Sequence, residues 1–181
     1  MKTKIYWIAK TAMFIALLVA LQAVTKPMGQ FVTGSVVNLI LILSVVIGGI
    51  ASGACVAVIS PLMAYLLGIA PNQALVPFII LGNISIVLVW WFFGKLEMKN
   101  ETVPYIIALV TGAIVKFGVL FLSVNYVAIP YVLKLPAEKA GVISAQFGIA
   151  QLITAVIGGA VAVAAIPLLK KAIAGREKAG A

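Results

Sequence analysis

One residue of this chain carries charge where charge is hardest to keep. Lys116 sits in the middle of the apolar run TGAIVKFGVLFLSVNY, residues 111–126. A cation at the centre of a membrane helix costs about 2.5–3.5 kcal/mol on insertion scales, so it either reaches water or meets an anion or a strongly polar partner. The acidic residues are Glu97, Glu101, Glu138 and Glu177, and none lies inside an apolar run. Snorkelling is hard here, because the lysine stem reaches about 6 Å and the nearer membrane face is roughly 12 Å away. The chemistry open to Lys116 is therefore the anchoring of a carboxylate, phosphate or carbonyl-rich group by charge and hydrogen bond.

The uncharged polar residues extend this reading. Asn38, Asn83, Asn125, Tyr126, Gln146 and Gln151 all fall in the half of their apolar runs that one side of the membrane would share, and the other half is mainly Gly, Ala, Val, Ile and Leu. A buried amide costs several kcal/mol in hydrocarbon unless it is paired. Amides gathered at one depth from different helices thus suggest a common polar cavity, although each alone also fits an interhelical hydrogen bond worth about 0.6 kcal/mol. At about 100° per residue, Lys116 shares a helix face with Gly112 and Ser123, and Asn125 points nearly opposite. Ser144, Phe147, Gln151, Thr154 and Gly158 form another stripe, with Gln146 off it. The candidate substrate-binding set is Lys116, Asn83, Gln151, Asn38, Ser123, Gln146, Asn125, Tyr126 and Phe147. Within it, Asn125 and Gln146 are weaker than Lys116 and Gln151. Aromatic residues such as Phe147 and Tyr126 suit either stacking on a heterocycle or ordinary packing.

Composition excludes much else. The chain is 64% hydrophobic and 9% charged, against roughly 45–50% and 25% in soluble domains, which places it in the membrane. Its net charge of +9 sits beside apolar runs, where it serves topology and lipid headgroups rather than nucleic acid. There is no His and one Cys, Cys55, so no metal site, disulfide framework or imidazole chemistry is expected. No cofactor is implied. No GxxxxGK[ST] phosphate loop occurs, so any ATP work falls to partners. An enzyme is not expected: Ser123 and Lys116 lie about 10.5 Å apart along a helix axis, too far for a serine–lysine dyad.

The elements that must position these residues are helices. A span needs about 20 apolar residues, and six runs qualify, at 5–24, 35–50, 52–69, 74–93, 104–127 and 142–169. The second and third are separated around Gly48-Gly49 and Ser52-Gly53. The expected fold is an all-α membrane protein, a compact single-domain bundle of six transmembrane helices. With the N-terminus inside, the inner side receives Lys2, Lys4, Lys10, Lys95, Lys99, Lys170, Lys171, Arg176 and Lys178, and the outer side Lys26, Lys134 and Lys139. That bias puts both termini in the cytoplasm and the polar half outside. Trp7, Trp90 and Trp91 then fall near the inner interface. A signal-peptide reading of residues 1–23 fits less well, because Lys10 interrupts the apolar stretch. Residues 25–34 (TKPMGQFVTG) and 126–141 (YVAIPYVLKLPAEKAG) read as outer loops, either plain connections or a lid.

The first helix adds a separate feature. Ala9, Ala12, Ala16, Ala20 and Ala23 all fall within roughly ±40° of Ala16 at about 100° per residue. Small residues let another backbone approach closely in lipid. The stripe suits either packing inside the bundle or docking of another subunit.

Taken together, six short helices, a basic N-terminus, the Ala12-xxx-Ala16-xxx-Ala20 stripe and a polar outer half resemble the S-component of energy-coupling factor (ECF) transporters, the prokaryotic importers of vitamins and micronutrients. The resemblance covers the whole chain. Its most specific element is the alanine stripe, which matches the family's AxxxA docking motif. Residues 34–39 (GSVVNL), leading into Pro61, are similar to riboflavin-type S-components. The resemblance implies a substrate-specific binding subunit in the cell membrane. Such a subunit binds a water-soluble, vitamin-like molecule from outside and docks on a transmembrane coupling subunit that carries two ATPases. The alternative is a stand-alone secondary transporter or channel for a small polar solute, which usually carries intramembrane acids or inverted repeats; neither is found.

Overall fold

The computed structural model describes residues 2–70 and 72–179, with side chains placed for 5–70 and 72–175. Every regular element among them is helical. This follows from the apolar runs, because in hydrocarbon a helix satisfies its own backbone. In chain order they are α1 (Lys2–Thr25), a 3₁₀ turn (Lys26–Met28), α2 (Gln30–Gly48), α3 (Ile50–Leu66), a second 3₁₀ turn (Gln73–Leu75) and α4 (Val76–Phe93). Then come α5 (Val103–Ser123), which runs on as a π-helical segment (Val124–Leu133), α6 (Ala137–Gln146) and α7 (Ile149–Ala179). Five helical segments are long and apolar enough to span a membrane, as in a multi-pass membrane protein: Ile5–Met28, Gln30–Gly48, Gln73–Phe93, Val103–Leu133 and Ala137–Gly175. The sixth expected span is α3, a shorter apolar helix of 17 residues.

Several boundaries differ from the sequence expectation. The second helix starts at Gln30 rather than 35, because Gly29 (φ 84°) supplies the turn. The α2–α3 break falls at Gly49, whose φ of 86° ends α2, while Ser52 and Gly53 lie buried within α3. Such a left-handed φ is one that glycine reaches without the Cβ clash. The two expected outer loops are largely helical: residues 25–34 are one 3₁₀ turn followed by the start of α2, and residues 126–141 hold the π-helical segment and the start of α6. Phe147 and Gly148 interrupt the last expected span, which therefore divides into α6 and α7.

α2 is the central element. It packs against α1, α3, α4 and α7, and every residue from Ile40 to Val45 is buried. A helix apolar and buried all round belongs in the middle of a bundle. Its closest neighbour is α7, where Gly158 admits the α2 backbone: a Cβ there would collide with the Ser35 carbonyl and sit 2.8 Å from the Asn38 Cβ. Trp90 belongs to this core, 1% exposed and stacked on Tyr105 at 6.3 Å. It is thus packed internally, whereas Trp91 carries the Lys95 ammonium 3.9 Å above its ring and Trp7 is exposed. A smaller apolar cluster of Leu75, Leu120, Val124, Ala128, Ile143 and Phe147 ties the π-helical segment and α6 to the 3₁₀ turn before α4.

The polarity is inverted relative to a soluble protein. Leu88, Ile114, Leu122 and Ile157 face outward, while Gln22, Asn38, Ser60, Asn83, Lys116 and Thr154 are buried. The two ends of the bundle also differ. At one end Lys26 Nζ donates to the Leu67 carbonyl at 2.7 Å, and Gln30 Nε2 to the Gln146 carbonyl at 2.7 Å. These bonds gather the α1–α2, α3–α4 and α6–α7 connections at that end. α1 begins and α7 finishes at the opposite end, where Lys170 Nζ donates to the Tyr105 hydroxyl at 2.7 Å. The side chains of Lys2, Lys4, Arg176 and Lys178, which enter the orientation argument, lie outside the described side chains.

Candidate functional site

Lys116 is the hub of a buried polar network. It lies two-thirds of the way along α5 and is 3% exposed. Its Nζ donates to Asn38 Oδ1 on α2 at 2.6 Å and to Asn83 Oδ1 on α4 at 2.9 Å. The amide nitrogens continue outward: Asn38 Nδ2 donates to Thr154 Oγ1 on α7 at 3.4 Å, and Asn83 Nδ2 to the Ala57 carbonyl on α3 at 3.4 Å. Five helices therefore meet at one ammonium. Both oxygen partners are neutral amides, so they take the place of water around the charge without cancelling it. The ammonium has three N–H donors, and two of them are engaged. Snorkelling is excluded by this geometry, since the side chain points between α2 and α4.

This network forms the floor of a cavity of about 350 Å³, at the small end of the range for ligand pockets, about 300–1,000 Å³. The cavity belongs to the end of the bundle opposite the chain ends. α1 contributes Gln22, α2 contributes Gln30, Thr33, Val37 and Asn38, and α3 contributes Ser60, Pro61 and Ala64. Residues 68–70, Ile79, Asn83, Gln146, Phe147 and Gln151 complete much of the wall, with Lys26 near the mouth. Thr33 Oγ1 donates to the Thr25 carbonyl at 2.9 Å and holds the ends of α1 and α2 together at this rim. No lining residue is acidic, and two are lysines.

Six of the nine expected binding residues come together here: Lys116, Asn38, Asn83, Gln146, Phe147 and Gln151. The structure places the other three outside the cavity. Ser123 Oγ bonds back to the Leu120 carbonyl at 3.4 Å, and Asn125 Nδ2 to the Phe121 carbonyl at 2.9 Å. Tyr126 is 64% exposed, packed edge-on against Phe121. Ser123 is the last residue of α5, seven residues beyond Lys116, and Asn125 and Tyr126 belong to the π-helical segment that follows.

Sequence reasoning did not select Gln22, Ser60 or Gln30. Gln22 had a legible signal: it continues the spacing of Phe14 and Leu18, all three buried, on the side of α1 away from the alanines. Its Nε2 lies 3.3 Å from both the Ser60 carbonyl and Ser60 Oγ, while its Oε1 is buried without a partner. Gln30 was hidden by its position in what reads as a loop.

The alanine stripe faces the other way. Ala9, Ala12, Ala16, Ala20 and Ala23 are all exposed, while Thr11, Phe14, Leu18, Gln22 and Thr25 are buried. Of the two readings of the stripe, packing inside this bundle is therefore excluded. No family model, no curated protein and no solved structure matches this chain, so its site stands on its own geometry.

Proposed function

We propose that this chain is the substrate-binding subunit of an ATP-driven importer of the energy-coupling factor type, placed in a prokaryotic cell membrane with both termini cytoplasmic. It takes up a water-soluble, vitamin-like molecule from the extracellular side, and it is not itself an enzyme. The observation that carries the reading is the division of α1: one face is built into the bundle and contributes Gln22 to the cavity, and the opposite face carries a line of five exposed alanines flanked by exposed Ile8, Met13 and Leu17. A binding subunit that must dock on a coupling subunit needs both surfaces, and a stand-alone transporter has no use for the second. The lysine bias supports the orientation, because the cavity opens at the end that carries only Lys26, Lys134 and Lys139.

The test is co-expression with a coupling subunit and its two ATPases. The wild-type chain co-purifies with them and supports ATP-dependent uptake. Ala12→Trp with Ala16→Trp abolishes co-purification and leaves ligand binding by the isolated chain intact, since both positions point away from the cavity. Normal assembly of that double variant, or ion-driven uptake by the chain alone in liposomes, refutes the reading.

A further inference from the structure

The cavity selects by charge rather than by the direction of its hydrogen bonds. Its middle favours neither donors nor acceptors: Gln22, Gln30, Gln146 and Gln151 all line it, and a primary amide carries both N–H and C=O. Its two ends are alike in sign. At the floor, Lys116 is held by two neutral amide oxygens, at 2.6 and 2.9 Å, and keeps a third N–H. At the mouth, Lys26 donates to the Leu67 carbonyl at 2.7 Å and stays exposed. That bond seats its ammonium over Gly68, where a Cβ would lie 3.4 Å from Nζ. Neutral oxygens solvate both ammoniums and neutralise neither. No acidic side chain offsets them along the wall. Glu97 and Glu101 lie in the α4–α5 connection at the opposite end of the bundle, Glu177 falls near the end of α7, and Glu138 is exposed at the start of α6.

α3 measures the distance between the two charges. Asn83, which accepts from Lys116, donates to the Ala57 carbonyl. Lys26 donates to the carbonyl of Leu67, which caps the same helix. From Ala57 to Leu67 the rise is about 15 Å at 1.5 Å per residue, so one ammonium stands at each end of the cavity. They act differently. The mouth charge works through water, where salt screens it beyond about 8 Å at physiological ionic strength, and it governs encounter. The floor charge is 3% exposed, is screened little, and governs retention. We infer that the cavity takes a small organic anion, a carboxylate or a phosphate ester, which Lys26 draws to the mouth and Lys116 holds at the floor. A cation meets a like charge at both stations, and a neutral molecule gains charge attraction at neither. The inference rests on the proposed binding role of the same cavity and narrows it to the charge of the ligand.

The experiment uses the purified full-length chain in non-ionic detergent micelles and compounds of about ten to twenty non-hydrogen atoms, sized to the cavity. Carboxylic acids are paired with their primary amides, phosphate monoesters with their parent alcohols, and amines of similar size supply the cations. Calorimetry gives affinities and surface plasmon resonance gives rates. The expected binders are anions, at least about tenfold tighter than their neutral partners, as for loss of a hydrogen bond to a charged group. This comparison is made on the wild-type chain, so it does not depend on any variant folding. Lys116→Met raises koff for the anion and leaves its neutral partner unchanged. Lys26→Gln lowers kon about three- to fivefold in low salt and by less than about twofold in 0.5 M salt, with koff unchanged. Lys139→Gln, the same loss of charge away from the cavity wall, leaves both rates as they are. A neutral partner that binds as tightly as its anion, a preferred amine, or silence across the whole panel overturns the anion class. A Lys26→Gln effect that persists in high salt, or that Lys139→Gln reproduces, overturns capture at the mouth. The importer reading fails separately, by assembly of the Ala12→Trp, Ala16→Trp chain with a coupling subunit.

Discussion

The network around Lys116 makes an asymmetric prediction about stability. Consider Lys116→Met beside Asn38→Leu. The lysine variant removes two charge-assisted hydrogen bonds, at 2.6 and 2.9 Å, each worth about 1.5–3 kcal/mol net. It also removes the burden of a desolvated ammonium, several kcal/mol after relaxation. These terms oppose each other and are similar in size, and with cavity water taking the ammonium's place on the two amide oxygens the net change is small, within about 1–2 kcal/mol of zero. Asn38→Leu is different. It leaves the ammonium buried with only Asn83 to hold it and also breaks the bond to Thr154 Oγ1. Removing one partner of a buried charge costs about 3–5 kcal/mol. At about 2–4 °C per kcal/mol for a chain of this size, that is a fall in Tm of roughly 6–20 °C, against only a few degrees for Lys116→Met. The assay is thermal unfolding in detergent, followed by tryptophan fluorescence, because Trp90 is packed in the core. If Lys116→Met proves the more damaging substitution, the lysine is a net structural contributor, and the argument that it is held for a ligand collapses.

Other consequences are checked independently. Gly158→Ala drives a methyl group into the Ser35 carbonyl and the Asn38 Cβ on α2, so it destabilises by about 1–3 kcal/mol and shifts Asn38; equal stability would show that α2 and α7 have room to part. Ser123→Ala, Asn125→Ala and Tyr126→Ala leave ligand affinity within about twofold, since none lines the cavity; a tenfold loss in titration calorimetry at any of them would extend the site onto the π-helical segment. Cys55 is the only cysteine and is half-buried. In a Cys55→Ala background, Lys139→Cys is labelled from outside intact cells by a membrane-impermeant maleimide and Lys95→Cys is not; the reverse pattern would invert the topology and place the cavity in the cytoplasm.

What the sequence made legible was periodicity and depth. Lys116, Asn38, Asn83 and Gln151 are found by asking which polar residues lie deep in apolar runs, because an unpaired polar group in hydrocarbon is costly enough to demand a partner. The same logic does not say which partner. That two amides from α2 and α4 converge on the lysine of α5 is a long-range fit with no local signature. Face counting was right to set Asn125 apart from Lys116 and wrong on two others: Ser123, on the same face of α5 but seven residues nearer its end, bonds back to Leu120, and Gln146, off the stripe of its run, lines the cavity because the chain breaks at Phe147 and Gly148 between α6 and α7. Gln30 was lost because KPMG reads as a loop, whereas the turn is finished by Gly29 and the helix starts one residue later.

The outward face of α1 is the feature whose sequence reading stayed open and whose geometry carries most weight. Elsewhere on the surface the bundle presents large side chains to its surroundings, Leu88, Ile114, Leu122, Val156 and Ile157 among them. A helix facing lipid has little reason to present alanine, because small side chains leave the backbone less covered and bury less apolar area than leucine or isoleucine. Small residues are favoured where another helix backbone comes close. On α1 no helix of this bundle fills that role: α1 packs on α2 and α3 through its other face. The five alanines, spaced by three and four over residues 9–23, run through most of the helix and stop near Gln22. Docking along that line would bring a partner helix alongside the same element that supplies Gln22 to the cavity wall. Substrate contact and partner contact would then share one rigid helix, which is where a binding subunit driven by ATPases elsewhere needs them to meet.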